Sequence, residues 1–235
     1  MPSESAPIRL SIIIPALNEA GNIGSLVTRC RGAIAGLGVP AEIIVVDGGS
    51  TDETVAEAEQ AGGRVIPQAG RGYGGALRTG FAAARGRFIQ TMDSDLSHEP
   101  EVIQSLWAAR ERADVVIASR YAPGGGAEMP WVRAVLSRIL NVTFTAAFRL
   151  PILDISSGFR LYRAETLRRI EFHSSDFDVL EEILIKIYIG GGAVTEVPFQ
   201  YRPRQAGRSH AKLLKFGLAY ARTFFAMWKL RRARQ

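Results

Sequence analysis

A single cysteine, Cys30, stands in this chain of 235 residues, so no intrachain disulfide framework is available and stability must come from a packed core. Its helical spacing with Leu26 and Ile34 marks Cys30 itself as core. No uncharged apolar run approaches the roughly 18 to 20 residues that span a bilayer, so the expected membrane contact is peripheral. No leader with a basic start, an apolar middle and a small-residue cleavage site opens the sequence, and the expectation is a reducing cytosol. Internal repeats and low-complexity tracts are lacking too. The formal charge of +6 and pI near 9.8 call for an anionic partner, but no motif combines aromatic and basic residues as nucleic-acid recognition requires. Nucleic acid is therefore excluded, which leaves an acidic membrane surface or a phosphorylated substrate.

What is there is a 47% hydrophobic composition, enough for one substantial core. One domain over residues 1–210 and a C-terminal extension over 211–235 are expected. Short β-rich runs at 10–14, 42–46, 64–67, 88–92 and 115–118 alternate with helix-like segments at 18–35, 52–61, 73–84 and 100–110. Such alternation predicts an α/β fold with a parallel sheet between helical layers. Ligands of such folds gather at the carboxyl ends of the strands. Three unusual stretches fall there: PALNE at 15–19, DGGSTD at 47–52 and DSD at 93–95.

Asp93 and Asp95, separated by Ser94, follow a strand and can both turn toward one cleft, where unpaired carboxylates would repel. A hard divalent ion, Mg²⁺ or Mn²⁺, shared with substrate phosphates answers that charge. His98 offers a nitrogen ligand, but Ser97-His98-Glu99-Pro100 reads more simply as a helix start, with Ser97 as the cap. Asp47 ends an apolar strand before two glycines and can accept hydrogen bonds from a base or ribose, whereas Ser50 and Thr51 read as helix caps. Gly70-Arg71-Gly72-Tyr73-Gly74-Gly75 has the character of a phosphate-binding loop without matching a P-loop or a dinucleotide fingerprint.

The ordered set IIIPALNE, VVDGGSTDET, GRGYGGALRTGFAAARG, MDSDLSHEP, ASRYAPGGG and DISSGFRLYR resembles the inverting family-two glycosyltransferases of GT-A fold, most closely the dolichol- or polyprenol-phosphate mannosyltransferase branch. The resemblance covers about residues 9–210. It implies a Rossmann-like nucleotide-diphospho-sugar transferase, a mostly parallel sheet flanked by helices. It implies that Pro15, Asn18, Glu19 and Asp47 hold the nucleoside, and that Asp93, Ser94 and Asp95 form the DXD metal and diphosphate site. Two departures stand out. The family's pair of acids after the second strand is here Asp47-Gly48, and Ser97 stands where relatives often carry a glutamine on the metal side.

A lipid monophosphate acceptor, with a second pKa of roughly 6, needs no general base, but it needs a cationic cradle. In the resembling branch this cradle maps onto Arg120, Arg133, Ser137 and Arg204, with Arg120 also counted with Asp93 and Asp95 as catalytic. Ser209-His210 replaces the branch's Ser-Lys, so His210 or Lys212 stands in for that lysine. Asp154 reads either as a base for a hydroxyl acceptor or as the organiser of the 156–158 turn, and Glu181 and Glu182 as acids opening a helix. The resulting expectation is transfer of a hexose, mannose from GDP-mannose, to a polyprenyl or dolichyl phosphate at the cytoplasmic face of a membrane. It leaves room for a separate membrane-anchoring subunit. The alternatives are a UDP-glucose-dependent enzyme, a transferase to a hydroxyl acceptor, and a nucleotide-sugar-binding module without turnover. In the tail, Phe216, Tyr220, Phe224 and Trp228 recur every four residues beside Lys215, Arg222 and Lys229. This is an amphipathic helix, expected to lay its rings in an anionic membrane interface.

Overall fold

In the computed structural model, which describes residues 6–202 and 213–233, the apolar runs of the first half become parallel strands. β1 (Leu10–Ala16) lies between β2 (Ala41–Asp47) and β4 (Phe88–Thr91), and β3 (Arg64–Pro67) pairs outside β2. The crossovers are α1 (Ile23–Ala35), α2 (Thr54–Gln60) and α3 (Gly72–Ala83), and α4 (Val102–Ala109) leads into β5 (Val115–Ser119). Apart from the edge strand β3, these strands are buried on both faces, and successive side chains feed opposite cores. Ile12, Ile14 and Val45 pack with Leu26, Cys30, Leu106 and Trp107, while Ile13, Ile44 and Val46 pack with Leu77, Phe144 and Leu184.

After β5 the chain departs from the alternation. It forms a short β6 (Gly126–Ala127), a long α5 (Trp131–Phe148) and then β7 (Arg160–Arg163), which enters antiparallel between β4 and β5. α6 (Ala164–Arg168) and α7 (Val179–Ile189) precede β8 (Val194–Pro198), parallel to β5, and β9 (Gln200–Tyr201) pairs with β6. The seven-stranded order is β3-β2-β1-β4-β7-β5-β8, a mostly parallel sheet with one reversed strand. The mostly parallel sheet between helices is the one expected, and β7 is its reversed strand, filling the slot left because β5 does not pair with β4.

Helix starts differ from the sequence expectation for local reasons. α1 begins at Ile23, because Asn18 and Gly21 adopt left-handed φ of 54° and 84° and keep residues 18–22 out of the helix. α4 begins at Val102, and Ser97 and His98, both buried, serve the site instead of capping it. Ser50 and Thr51 bond to Asn18 instead of capping α2.

The tail forms α8 (Leu213–Arg232). Phe224 and Trp228 of its aromatic stripe turn inward: Phe224 sits edge-on to Phe144 and Phe148, Trp228 meets Phe148, and Thr223 donates to Asp178 at 2.6 Å. Phe224 and Trp228 thus find their partner in the apolar groove beside α5 and α7. Arg222 and Lys229 remain exposed. No helix among the described residues is long and apolar enough to cross a membrane. Arg204, Ser209, His210 and Lys212 lie outside the described residues, as do the side chains of Lys215 and Phe216.

Candidate active site

A cavity of about 1200 Å³ opens where the carboxyl ends of β1, β4 and β5 meet α5 and α8. Pro15, Glu19, Asp93, Ser94, Asp95, Arg120, Arg133 and Ser137 all line it, so residues far apart in sequence converge on one cavity. Asn18 and Asp47 instead shape the rim. Asn18 accepts from the Thr51 N–H at 2.9 Å, and its own N–H donates to Ser50 Oγ at 2.9 Å, joining the loops that follow β1 and β2. The Asp47 carboxylate receives the N–H groups of Gly49 and Ser50, and Gly48 reaches the cavity wall. Glu19 accepts from Asn22 Nδ2 at 2.9 Å.

At the acidic end, Asp95 is 6% exposed and receives the Ser97 N–H at 3.0 Å. The Tyr73 hydroxyl donates to Asp93 Oδ1 at 3.3 Å, and burial raises the Tyr73 phenol well above its usual pKa, with the Asp93 charge adding to the effect. Tyr73 is stacked on Phe177 with centroids 4.6 Å apart. The close approach has a backbone cause: a Cβ on Gly74 would collide with the Ser174 carbonyl, and Gly74 N–H donates to Ser175 O at 2.9 Å. The glycine run therefore serves to seat the segment before α7 against the cavity.

His98, which the sequence assigned to a helix start, is a buried partner of the acidic pair. The Asp93 N–H donates to its Nδ1 at 3.1 Å, which leaves the ring proton on Nε2, 3.7 Å from Asp93 Oδ2. Stacking on Phe159 at 4.9 Å fixes the ring plane. Among the described residues no group of three or more His, Cys, Asp or Glu side chains gathers to hold a metal. Asp93 and Asp95 nevertheless fit a hard divalent ion, since both donors are carboxylate oxygens and the nearby Ser97 Oγ is buried with no hydrogen-bond partner.

At the basic end, Arg120 grips Asp154 through Nε at 2.7 Å and Nη2 at 2.6 Å, and Nη2 also reaches Ser156 Oγ at 2.8 Å. Burial works against the Arg120 charge, but the bonds and field of Asp154 outweigh it, so the guanidinium pKa is raised. Asp154 is fully buried and organises this corner. Of its two sequence readings, the geometry favours the organiser. Arg133 lies over the Tyr201 ring at 6.0 Å, and the Tyr121 hydroxyl donates to Ser137 Oγ at 2.9 Å. Beyond Ser137 the walls become apolar, with Leu136, Ile139, Leu140 and Phe144 from α5 facing Tyr220, Ala221, Phe224 and Phe225 from α8. Asn141 and Tyr73 escaped sequence reasoning, because a polar or aromatic residue inside a helical pattern has no period of its own, and Tyr121 because it lies in the loop after β5 with no pattern around it.

Known proteins place this geometry. A dolichol-phosphate mannosyltransferase of Pyrococcus furiosus is 35% identical over 216 residues, 87% of this chain and 60% of that one, so the chain spans under two thirds of that relative's length. The polyprenol monophosphomannose synthase of Mycolicibacterium smegmatis is 34% identical over 218 residues, 86% of this chain and 80% of that one. Among solved structures, glucosyl-3-phosphoglycerate synthase from Mycobacterium tuberculosis, with Mn²⁺, uridine-diphosphate-glucose and phosphoglyceric acid, superposes with a TM-score of 0.73. It is 25% identical and covers 95% of this chain and 79% of its own. Residues 11–171 match the family described as glycosyl transferase family 2, and the chain belongs to that family.

Proposed function

We propose that the protein moves a hexosyl group, mannose from GDP-mannose by preference, onto a polyprenyl or dolichyl phosphate with inversion, giving a β-linked lipid-phosphate sugar. The observation that carries this reading is the continuity of one cavity from the Asp93–Asp95 pair, past Arg120, Arg133 and Ser137, into the apolar walls of α5 and α8. A nucleotide sugar, a phosphate and a hydrocarbon chain match those three zones in order. The names of the mannosyl-transferring relatives support the same substrate class.

The donor diphosphate lies at the acidic end, where Asp93 and Asp95 would hold Mg²⁺ or Mn²⁺ and the ion would supply charge neutralisation for the departing diphosphate. Tyr73 and His98 hold Asp93 in place. The acceptor's phosphate oxygen bonds to the anomeric carbon as the carbon–oxygen bond to the nucleoside diphosphate breaks, and that electron pair leaves with the diphosphate. A single displacement of this kind inverts the centre. The nucleophilic oxygen is already ionised near neutrality, since a phosphate monoester has a second pKa of roughly 6. No base is required, and Asp154, bound to Arg120, is not asked to be one. Arg120, Arg133, Ser137 and Arg204 orient the acceptor phosphate.

The face that meets the bilayer is the outer side of α5 with part of α8. Trp131 and Leu218 are each 77% exposed and Phe225 is 70% exposed, with Val132, Val135 and Val142 exposed along the same helix as Trp131. This favours peripheral attachment at the cytoplasmic face, helped by Arg222 and Lys229 on anionic lipid and by any separate anchoring subunit. The test is a panel of GDP- and UDP-sugars offered with a polyprenyl phosphate and read by product mass. Hexosylated lipid phosphate, most abundant with GDP-mannose, is expected. Product only on hydroxyl acceptors, or none with any donor, overturns the reading.

A further inference from the structure

The loop at 153–158 runs without regular structure through a buried region, so its backbone groups need partners from side chains. Those partners come from three directions. From β8, the Glu196 carboxylate accepts the N–H groups of Leu153 and Asp154 at 2.9 and 2.8 Å. From β7, the buried Arg160 donates to the carbonyls of Ile155 and Ser157. From α5, Asn141 Oδ1 accepts the N–H groups of Ile155 and Ser156 at 2.6 and 3.3 Å. Asn141 is thus the partner supplied by the helix that also carries Arg133 and Ser137.

Its amide nitrogen completes the connection. Asn141 Nδ2, on a side chain only 2% exposed, donates to Ser137 O at 2.7 Å and Ser156 Oγ at 3.1 Å, and lies 3.4 Å from Ser137 Oγ. The amide orientation is fixed, because the reverse would set two donors against the N–H groups of Ile155 and Ser156. The two amide protons are thus taken by Ser137 O and Ser156 Oγ, and Ser137 Oγ receives its donor from Tyr121 Oη at 2.9 Å. A serine hydroxyl has two acceptor lone pairs and one proton. With the Tyr121 proton on one lone pair, the serine keeps its own proton and the other lone pair for a ligand in the cavity that Ser137 lines.

We infer that Asn141 is a positioning residue that locks α5 to the 153–158 loop and, with Tyr121, keeps the Ser137 proton available to the acceptor phosphate. The inference rests on the acceptor-phosphate reading given above. Through Ser156 the same amide reaches Arg120, so the arginine and the serine of the cradle keep one spacing. Tyr121 is itself held between Arg120 and Arg138, each guanidinium 5.3 Å from its ring centroid.

The experiment measures binding of farnesyl phosphate, a short polyprenyl monophosphate, and of GDP with Mn²⁺, to the full chain and to Asn141→Ala, Asn141→Asp and Tyr121→Phe. Tyr121→Phe keeps the ring between the arginines and removes only the hydroxyl, so it remains informative if an Asn141 variant fails to fold. Expected are a loss of at least about tenfold in farnesyl phosphate affinity for Asn141→Ala and a smaller loss, about threefold or more, for Tyr121→Phe. GDP binding stays within about twofold for both. Asn141→Asp still accepts the two loop N–H groups but cannot donate to Ser137 or Ser156, and it fails to rescue. Unchanged farnesyl phosphate affinity in Tyr121→Phe and any folded Asn141 variant, or equal loss of both ligands, overturns the inference while leaving the acceptor reading intact. Wild-type protein that binds GDP but no farnesyl phosphate overturns the acceptor reading, and this role for Asn141 with it.

Discussion

Glu181, on α7 behind the cavity, is fully buried and neither of its carboxylate oxygens has a hydrogen-bond partner. Burial pushes its carboxyl from 4.5 up to about 8, against the opposing charge of Arg160 and with added repulsion from Asp178 and Asp154. Between those values the unfolded chain has released the proton and the native state still holds it. The native state binds more protons there, so the stability contribution is complete below 4.5 and falls as pH rises toward 8. The slope approaches roughly 1.4 kcal/mol per pH unit, which makes the whole effect on the order of 3–5 kcal/mol. Glu181→Gln keeps the shape and removes the titration. Urea unfolding of both proteins from pH 5 to pH 8.5 should give two curves that diverge with pH, the variant gaining about 3 kcal/mol on the wild type between pH 5 and pH 8. Taking the difference cancels the other titrating groups, provided both unfold in two states. A difference that stays constant with pH means that Glu181 does not titrate across this window and refutes the account of a neutral buried carboxyl.

Asp95→Ala should abolish transfer and Asp93→Ala severely reduce it in folded protein, with EDTA reproducing the loss and Mn²⁺ or Mg²⁺ restoring it; full turnover in metal-free buffer counts against the proposed donor site. Arg133→Ala and Arg204→Ala should raise the KM for lipid phosphate far more than that for the nucleotide sugar, and Arg-to-Lys should rescue only in part because a point charge lacks the fork geometry. Loss confined to donor binding would put these arginines on the wrong substrate. The protein should co-sediment with anionic liposomes, less so as salt rises, and Trp131→Ser with Val135→Ser should weaken that binding without changing turnover on farnesyl phosphate. Unaltered sedimentation would move the docking face elsewhere.

The first half of the fold was legible because its strands are short, apolar and bounded by glycine, proline or aspartate, as at residues 10–16 and 41–47. β7 was not, since Arg160-Leu161-Tyr162-Arg163 begins with a charged residue whose burial depends on the carbonyls of Ile155, Ser157 and Leu180. Site residues at strand ends, Asp93 and Asp95 above all, were visible as carboxylates in an unusual place. Residues that act by holding others were not. His98 looked like part of a helix start because Ser97 and Glu99 flank it, yet its Nδ1 takes the Asp93 N–H five residues back. Local spacing reports what a residue could do for its neighbours in sequence, and this bond depends on the chain folding back between Phe159 and Phe199.

The C-terminal helix meets the same limit. A repeat of aromatic residues every four positions identifies an apolar face, but the repeat is silent on what that face will meet. Phe224 and Trp228 would satisfy a headgroup layer or a protein groove equally well; what decides is whether the domain has an uncovered apolar surface of its own. It has one, made by Phe144 and Phe148 on α5, and the gain from burying rings against a fixed, close-packed partner is available without any membrane. Once α8 is seated there, its lining residues Tyr220, Ala221 and Phe224 become one wall of the cavity, so the stripe that resembled a membrane anchor instead helps to build the apolar end of the proposed acceptor site. In the proposed attachment to a bilayer, the membrane-facing role falls to residues with no aromatic period, Trp131, Val132, Val135 and Val142 on α5, all exposed. These side chains stand exposed on the fold, and their place on the same helix as Arg133 and Ser137 brings the proposed lipid phosphate and the bilayer that would supply it to one element.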